Sequence, residues 1–262
     1  MAKKESVKIL PEFNEYSGRI FKVKNIVHPN NAGCYNFGEF IQSSHNDTSR
    51  EWSSDEDGVN IYRDKQNPQI GYRIYKGLML FLEDFEFHGG LGDPKMIEEL
   101  IVRQSNIKLT EFPTGVVSIN QYPIGQEIPF YNGYQTLREF SHSISSVEGK
   151  ETVLPKVYIK ILLSLKELIE NEIYYSDVHS GNFLVNVNDF DIDTRIIDFD
   201  SGLVSFGKFA NYQKEHYQYC LKYMFDQNNK YANIDYQIET LSKDNPIDDA
   251  IEKVLKMEQK LR

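Results

Sequence analysis

The chain has 262 residues, 40% hydrophobic and 26% charged, which is ordinary usage for a folded protein and excludes global disorder. Its 29 Lys and Arg stand against 39 Asp and Glu, a net charge of −10 with no basic stripe, so neither nucleic acid nor an anionic membrane surface is an expected partner. The N-terminus lacks the apolar core of a signal peptide, and the longest near-apolar stretch, Gly77 to Leu82, is far short of the ~20 residues of a membrane span; with Cys34 and Cys220 in no metal-ligand spacing, these predict a cytoplasmic protein with two free thiols.

In chain order, Arg19 to Val27 and Phe37 to Ile41 read as strands around Gly33-Cys-Tyr-Asn-Phe-Gly38. Ser43 to Asp57 is polar and charged, and is expected to be a solvated loop or partly disordered insertion. Ile70 to Tyr75 reads as a strand. After the Gly89-Gly-Leu-Gly92 break, Asp93 is placed to cap a helix that starts at Pro94 and ends near Arg103. Gly115 to Asn120 and Gln126 to Tyr131 read as two more strands.

The chain changes character after Asn132-Gly133. Thr136 to about Ser141 reads as a short helix. Apolar residues then stand at Leu154, Val157, Tyr158, Ile161, Leu162, Leu165, Leu168 and Ile169, a wide stripe at the 3.6 period. Asn182 to Asn188 reads as one strand of a hairpin, with a turn around Asp189 to Asp193 and a partner strand beginning at Ile196-Ile197. Helices follow at about Asn211 to Phe225 and Pro246 to Lys260. The expected fold is α+β and bilobal, a β-rich lobe over residues 1–131 with one helix and a small, mostly helical lobe over 132–262, together one domain.

The most informative stretch is Tyr175-Ser-Asp177-Val-His179-Ser-Gly-Asn182-Phe-Leu-Val, followed by Ile196-Ile-Asp198-Phe-Asp200. Singly, Asp177 and Asn182 read as turn caps and Asp198 as the end of a strand. Jointly, after a strong amphipathic helix and around a hairpin, they suit phosphoryl transfer, which needs few parts. A carboxylate must orient the attacking hydroxyl and accept its proton, and Asp177 can do so. Hard oxygen ligands must hold Mg²⁺ against phosphates, and Asn182 and Asp198 can supply them.

Asp177-Val-His179-Ser-Gly-Asn182 resembles the catalytic loop of aminoglycoside phosphotransferases and choline-kinase-like enzymes, H-G-D-x-H-x-x-N, and is similar to the H-R-D-x-x-x-x-N loop of protein kinases. Asp198-Phe199-Asp200 looks like the D-F-G metal-binding triplet with Asp in the third place. The resemblance is closest over about Tyr174 to Gly202 and looser from Gly33 through Met224. It implies the protein-kinase-like fold and ATP-dependent phosphotransfer with Mg²⁺, from a nucleotide to an unidentified hydroxyl acceptor, with Tyr175 taking the packing place of a loop histidine and His179 a structural role near Asp198. It also places Glu215 where a later helix braces the loop.

The same resemblance assigns a nucleotide-binding set. Gly33 and Gly38 match the outer glycines of a kinase glycine-rich loop, with Tyr35 in the middle place; an ordinary hairpin loop is the competing reading. The phosphate-holding cation is Arg73 in one register and Lys76 in the other. Three residues apart on a strand, they face opposite ways, so only one can meet phosphate. The ion-pair partner on the following helix is Glu98, with Glu99 as the alternative. Ile128-Pro-Phe130-Tyr131 resembles a hinge whose backbone pairs with adenine, although its aromatics suit a core equally well.

Only 64 residues follow Asp198, with no A-P-E triplet, which predicts a small helical lobe and an atypical kinase acting on a small molecule or a dedicated protein. The alternative from another class is a nucleotide-binding pseudokinase or scaffold, favoured by the missing middle glycine and by Arg73. Nucleotidyl transfer is a third use of the same parts.

Overall fold

The computed structural model describes residues 22–23, 26–27, 35–41, 59–64, 67, 69–75, 94–119, 122–188, 191–199, 203–238 and 240–261. The expectations for Ser43–Asp57, the Gly89–Gly92 break and the Asp93 cap lie outside these residues. The described chain is a mixture of helix and strand, and divides into two compact units, one drawn from Met1–Val102 and Phe112–Asn132, the other from Arg103–Glu111, Gly133–Phe199 and Leu203–Arg262.

The first unit is built on a seven-stranded antiparallel sheet in the order β1-β3-β4-β5-β7-β6-β2. Its strands are β1 (Lys22–Val23), β2 (Ile26–Val27), β3 (Tyr35–Ile41), β4 (Val59–Asp64), β5 (Ile70–Tyr75), β6 (Gly115–Ile119) and β7 (Tyr122–Pro129). The sequence reading finds β5 to the residue and merges β1 with β2. It does not foresee β4, whose period-2 signal is confined to Val59 and Ile61 among polar neighbours. Strand β7 starts earlier than its Val/Ile content suggests, because pairing with β6 carries Tyr122 and Gly125 into the ladder. Helix α1 (Pro94–Arg103) buries Met96, Ile97 and Leu100, three and four residues apart, with Pro94 at its first position.

The second unit is mostly helical. Helix α2 (Leu137–Ser143) begins with a capping box. Thr136 Oγ1 accepts from the Glu139 N–H at 3.2 Å, and Glu139 Oε2 accepts from the Thr136 N–H at 2.8 Å. Helix α3 (Lys150–Glu170) carries the predicted stripe, and Leu154, Val157, Tyr158, Ile161, Leu162, Leu165 and Leu168 are all buried. Each of these aliphatic side chains contributes about 1.5–3 kcal/mol by leaving water. Helix α4 (Asn211–Tyr231) runs six residues beyond the expected end, held by the buried Asn228 and Asn229, whose amides donate to Met224 C=O and Tyr236 C=O. Helix α5 (Pro246–Leu261) packs on α3.

Two small sheets complete the unit. In one, β10 (Phe183–Asn188) lies between β11 (Asp191–Ile196) and β8 (Gln135–Thr136); in the other, β9 (Ile173–Tyr175) pairs with β12 (Val204–Phe206). The second hairpin strand therefore ends, rather than begins, at Ile196. Pairing from Phe183↔Ile196 to Asn188↔Asp191 brings Asp191 and Asp193 into a strand that their propensities alone disfavour.

Candidate active site

Strand β9 ends at Tyr175, and the loop from Ser176 to Asn182 leads into β10. The entry is held from several sides. The Ser176 N–H and Oγ both donate to Leu203 C=O, at 2.7 and 3.0 Å. The Tyr175 phenol donates to Ile197 C=O at 2.9 Å, and its ring lies 5.2 Å from that of Phe199. From α4, the buried Tyr217 phenol donates to Tyr175 C=O at 2.8 Å. The exit is held by Arg138, whose N–H donates to Ser180 C=O at 3.3 Å, and by Ile197, whose N–H donates to Asn182 C=O at 3.0 Å.

Within the loop, Asp177 and Asn182 are brought together. Asn182 is buried, and its side-chain amide donates to Asp177 Oδ2 at 2.6 Å and to Asp177 C=O at 3.1 Å. Because the Nδ2 group serves Asp177, the amide oxygen is the atom Asn182 has to give a cation. His179 stands on the same carboxylate, with Nε2 3.3 Å from Asp177 Oδ2.

Asp198 follows β11 with φ +69°, the left-handed region that a non-glycine residue seldom adopts and that Asp tolerates better than most. The Ile197–Asn182 backbone bond ties it to the end of the loop. Burial raises the Tyr175 phenol well above its ordinary pKa, and the nearby Asp198 and Asp177 carboxylates raise it further. Tyr175 is thus a neutral hydrogen-bond donor lying within the field of both acids. Among the described residues no group of three or more His, Cys, Asp and Glu side chains is arranged to hold a metal by itself. Two hard oxygen donors from Asn182 and Asp198 fit Mg²⁺, which takes few protein ligands and completes its shell with phosphate and water oxygens.

The remaining candidates fall in the first unit. Arg73 on β5 stands opposite Gln126 on β7, and Gly71 stands opposite Ile128. Directly opposed residues of an antiparallel pair share a face, so Gly71, Arg73, Gln126 and Ile128 lie on one side of the sheet. Lys76, like Gly33, lies outside the described residues. Gly38 stands within β3, where pairing with β4 shifts register between Phe37 and Phe40, and not in a loop before the strand. Glu98 is exposed, off the buried Met96-Ile97-Leu100 face of α1, whereas Glu99 is half-buried at its margin. Ile128, Phe130 and Tyr131 are half-buried. The Phe130 N–H donates to Gln69 C=O at 2.7 Å, so this donor of the expected hinge extends the β5–β7 ladder instead.

Two expectations change. Glu215 is exposed, 4.0 Å from Lys243, and Tyr217 braces the loop in its stead. His179 Nδ1 accepts from Gly181 within its own loop, and its Nε2 lies 3.3 Å from Asp177 Oδ2. Tyr175 is buried, with its ring against that of Phe199. Sequence reasoning passed over Gln126, Gly181 and Tyr217. Only Tyr217 left a signal, as the buried-side aromatic of α4 in line with Leu221 and Met224.

No family model and no curated protein matches the chain. Among solved structures it is similar to the crystal structure of the BubR1 kinase domain, with 10% identity and a TM-score of 0.47 over 99% of this chain and 96% of that one. No helix among the described residues is long and apolar enough to cross a membrane.

Proposed function

We propose that the chain is an ATP-dependent phosphotransferase that moves the γ-phosphate to a hydroxyl of a small molecule or dedicated protein, with the kinase-like fold its sequence motifs imply. The observation that carries this reading is the Asn182 amide donating to Asp177 within a loop whose last carbonyl accepts from Ile197, the residue before Asp198.

Asp177 orients the acceptor hydroxyl and takes its proton late, because the transition state is loose and charge sits on the transferred group. Asn182 holds the Asp177 carboxylate by its amide hydrogens and offers its oxygen to the cation. Asp198 offers the second oxygen donor. Mg²⁺, when bound with the nucleotide, neutralises phosphate charge. Arg73 in one strand register, or Lys76 in the other, is the cation for phosphate; a guanidinium fork at Arg73 would suit bidentate contact.

The two-ligand protein set implies that metal and nucleotide bind together. Mg²⁺ alone should leave the melting temperature unchanged, whereas Mg²⁺ with ATP at about 100 times its Kd should raise it by roughly 5–10 °C. Asp198→Ala should remove the Mg²⁺-dependent part of that rise. A rise without any γ-phosphate release would favour the scaffold reading, and no rise with any nucleotide would refute both.

A further inference from the structure

Resting on the phosphotransferase reading, we infer that His179 is a positioning residue that fixes the Asp177 carboxylate, and that Gly181 is the lock that sets its imidazole. The Gly181 N–H donates to His179 Nδ1 at 3.0 Å, so Nδ1 is the acceptor and the ring hydrogen sits on Nε2. The Nε2 atom stands 3.3 Å from Asp177 Oδ2, the same oxygen that receives the Asn182 amide at 2.6 Å. The backbone closes the circuit: the His179 N–H donates to Asp177 C=O and the Asn182 N–H donates to His179 C=O, both at 3.0 Å.

The loop is fitted to this ring. A Cβ at Gly181 would lie 2.9 Å from His179 Cε1 and 3.1 Å from Nδ1, so any larger residue there must displace the imidazole. The consequence is chemical. The Asn182 hydrogen bond and the adjacent imidazole on one carboxylate oxygen restrict the rotation of the Asp177 side chain, and a base that must meet a hydroxyl gains rate from a fixed direction. His179 does this without touching the reacting atoms.

Two replacements separate the donor function from loop support. Asparagine places an amide oxygen near the Nδ1 position, where it can still accept from Gly181, but it has no group at the Nε2 position. Glutamine places an NH2 at the Nε2 position, where it can donate to Asp177. The test uses the full chain with Mg·ATP and water as acceptor, reading γ-phosphate release, and nitrogen NMR of the His179 ring in alkaline buffer. The expected spectrum is an Nε2–H tautomer whose proton resonance moves in Asp177→Asn. His179→Asn should lower turnover about 10²-fold with KM for ATP changed less than about twofold, and His179→Gln should recover most of the loss. Equal turnover in the Asn and Gln variants, full activity in His179→Asn, an Nδ1–H tautomer, or a resonance indifferent to Asp177→Asn would overturn the inference. Absence of turnover in the parent would overturn the phosphotransferase reading alone, and the NMR result would then decide the His179–Asp177 linkage by itself.

Discussion

Asp198 concentrates the tension between stability and chemistry in one residue. At φ +69° its Cβ is unfavourably placed against its own backbone, a cost that glycine avoids. Comparing two side-chain deletions isolates that cost, because both remove the carboxylate. Asp198→Gly should be more stable than Asp198→Ala by about 1 kcal/mol, read as a melting temperature roughly 2–4 °C higher. Both should lose Mg²⁺-dependent nucleotide turnover. An alanine variant as stable as the glycine variant would show that the left-handed conformation is not what the folded chain adopts. Asp177 is the complementary case. Asp177→Asn preserves shape, and should lower turnover by ~10²–10⁴-fold with nucleotide affinity changed only several-fold.

Among the elements, β9 and α4 decide where the loop starts. The Tyr217 phenol is fully buried and donates to Tyr175 C=O, two residues before Asp177. Tyr217→Phe keeps the ring and removes the donor, leaving a buried carbonyl short of a partner. The expected cost is about 0.5–1.5 kcal/mol, with a melting temperature lower by a few degrees and turnover reduced because the strand leading to Asp177 loosens. A variant with unchanged turnover would limit the bond to a stabilising role.

Legibility in the sequence followed the physics of each element. Helix α3 was readable because its apolar stripe spans about four turns, and β5 because Ile70 to Tyr75 is continuous and β-prone. Strand β11 was not, since Asp191 and Asp193 are strand residues only through their partners on β10. The Asp177–Asn182 contact was readable because its five-residue spacing is local. The Tyr217 and Gly181 contributions were not, because each depends on a distance between atoms that no periodicity encodes. The α+β class was legible from the strand-rich start and helical end. Glu98 against Glu99 was not, since the burial of α1's face depends on what covers it.

On the scale of the whole molecule, the tyrosine-rich second unit sets an alkaline limit. Tyr158, Tyr175 and Tyr217 are buried, and burial raises all three phenols; Tyr174, next to His216 and Cys220, is pushed up to about 12, chiefly by burial. A phenol whose folded pKa exceeds its unfolded value of ~10 ionises first in the unfolded chain. The stability it contributes is whole below about pH 10 and is lost as pH rises toward the folded value. The melting temperature should therefore hold between about pH 7 and 9 and fall steeply above about 10, with a shallower fall in Tyr217→Phe. A flat profile to about pH 11.5 would contradict the burial of these phenols.

Asp177, Asn182 and Asp198 are proposed to act together on the γ-phosphate of Mg·ATP. The most direct measurement is single-turnover release or transfer of labelled γ-phosphate by the full chain, run beside Asp177→Asn and Asp198→Ala, with chelator as the control. The expected result is a metal-dependent rate in the parent, a loss of ~10²-fold or more in Asp177→Asn, and no metal-dependent rate in Asp198→Ala. An undiminished metal-dependent rate in either variant would contradict it.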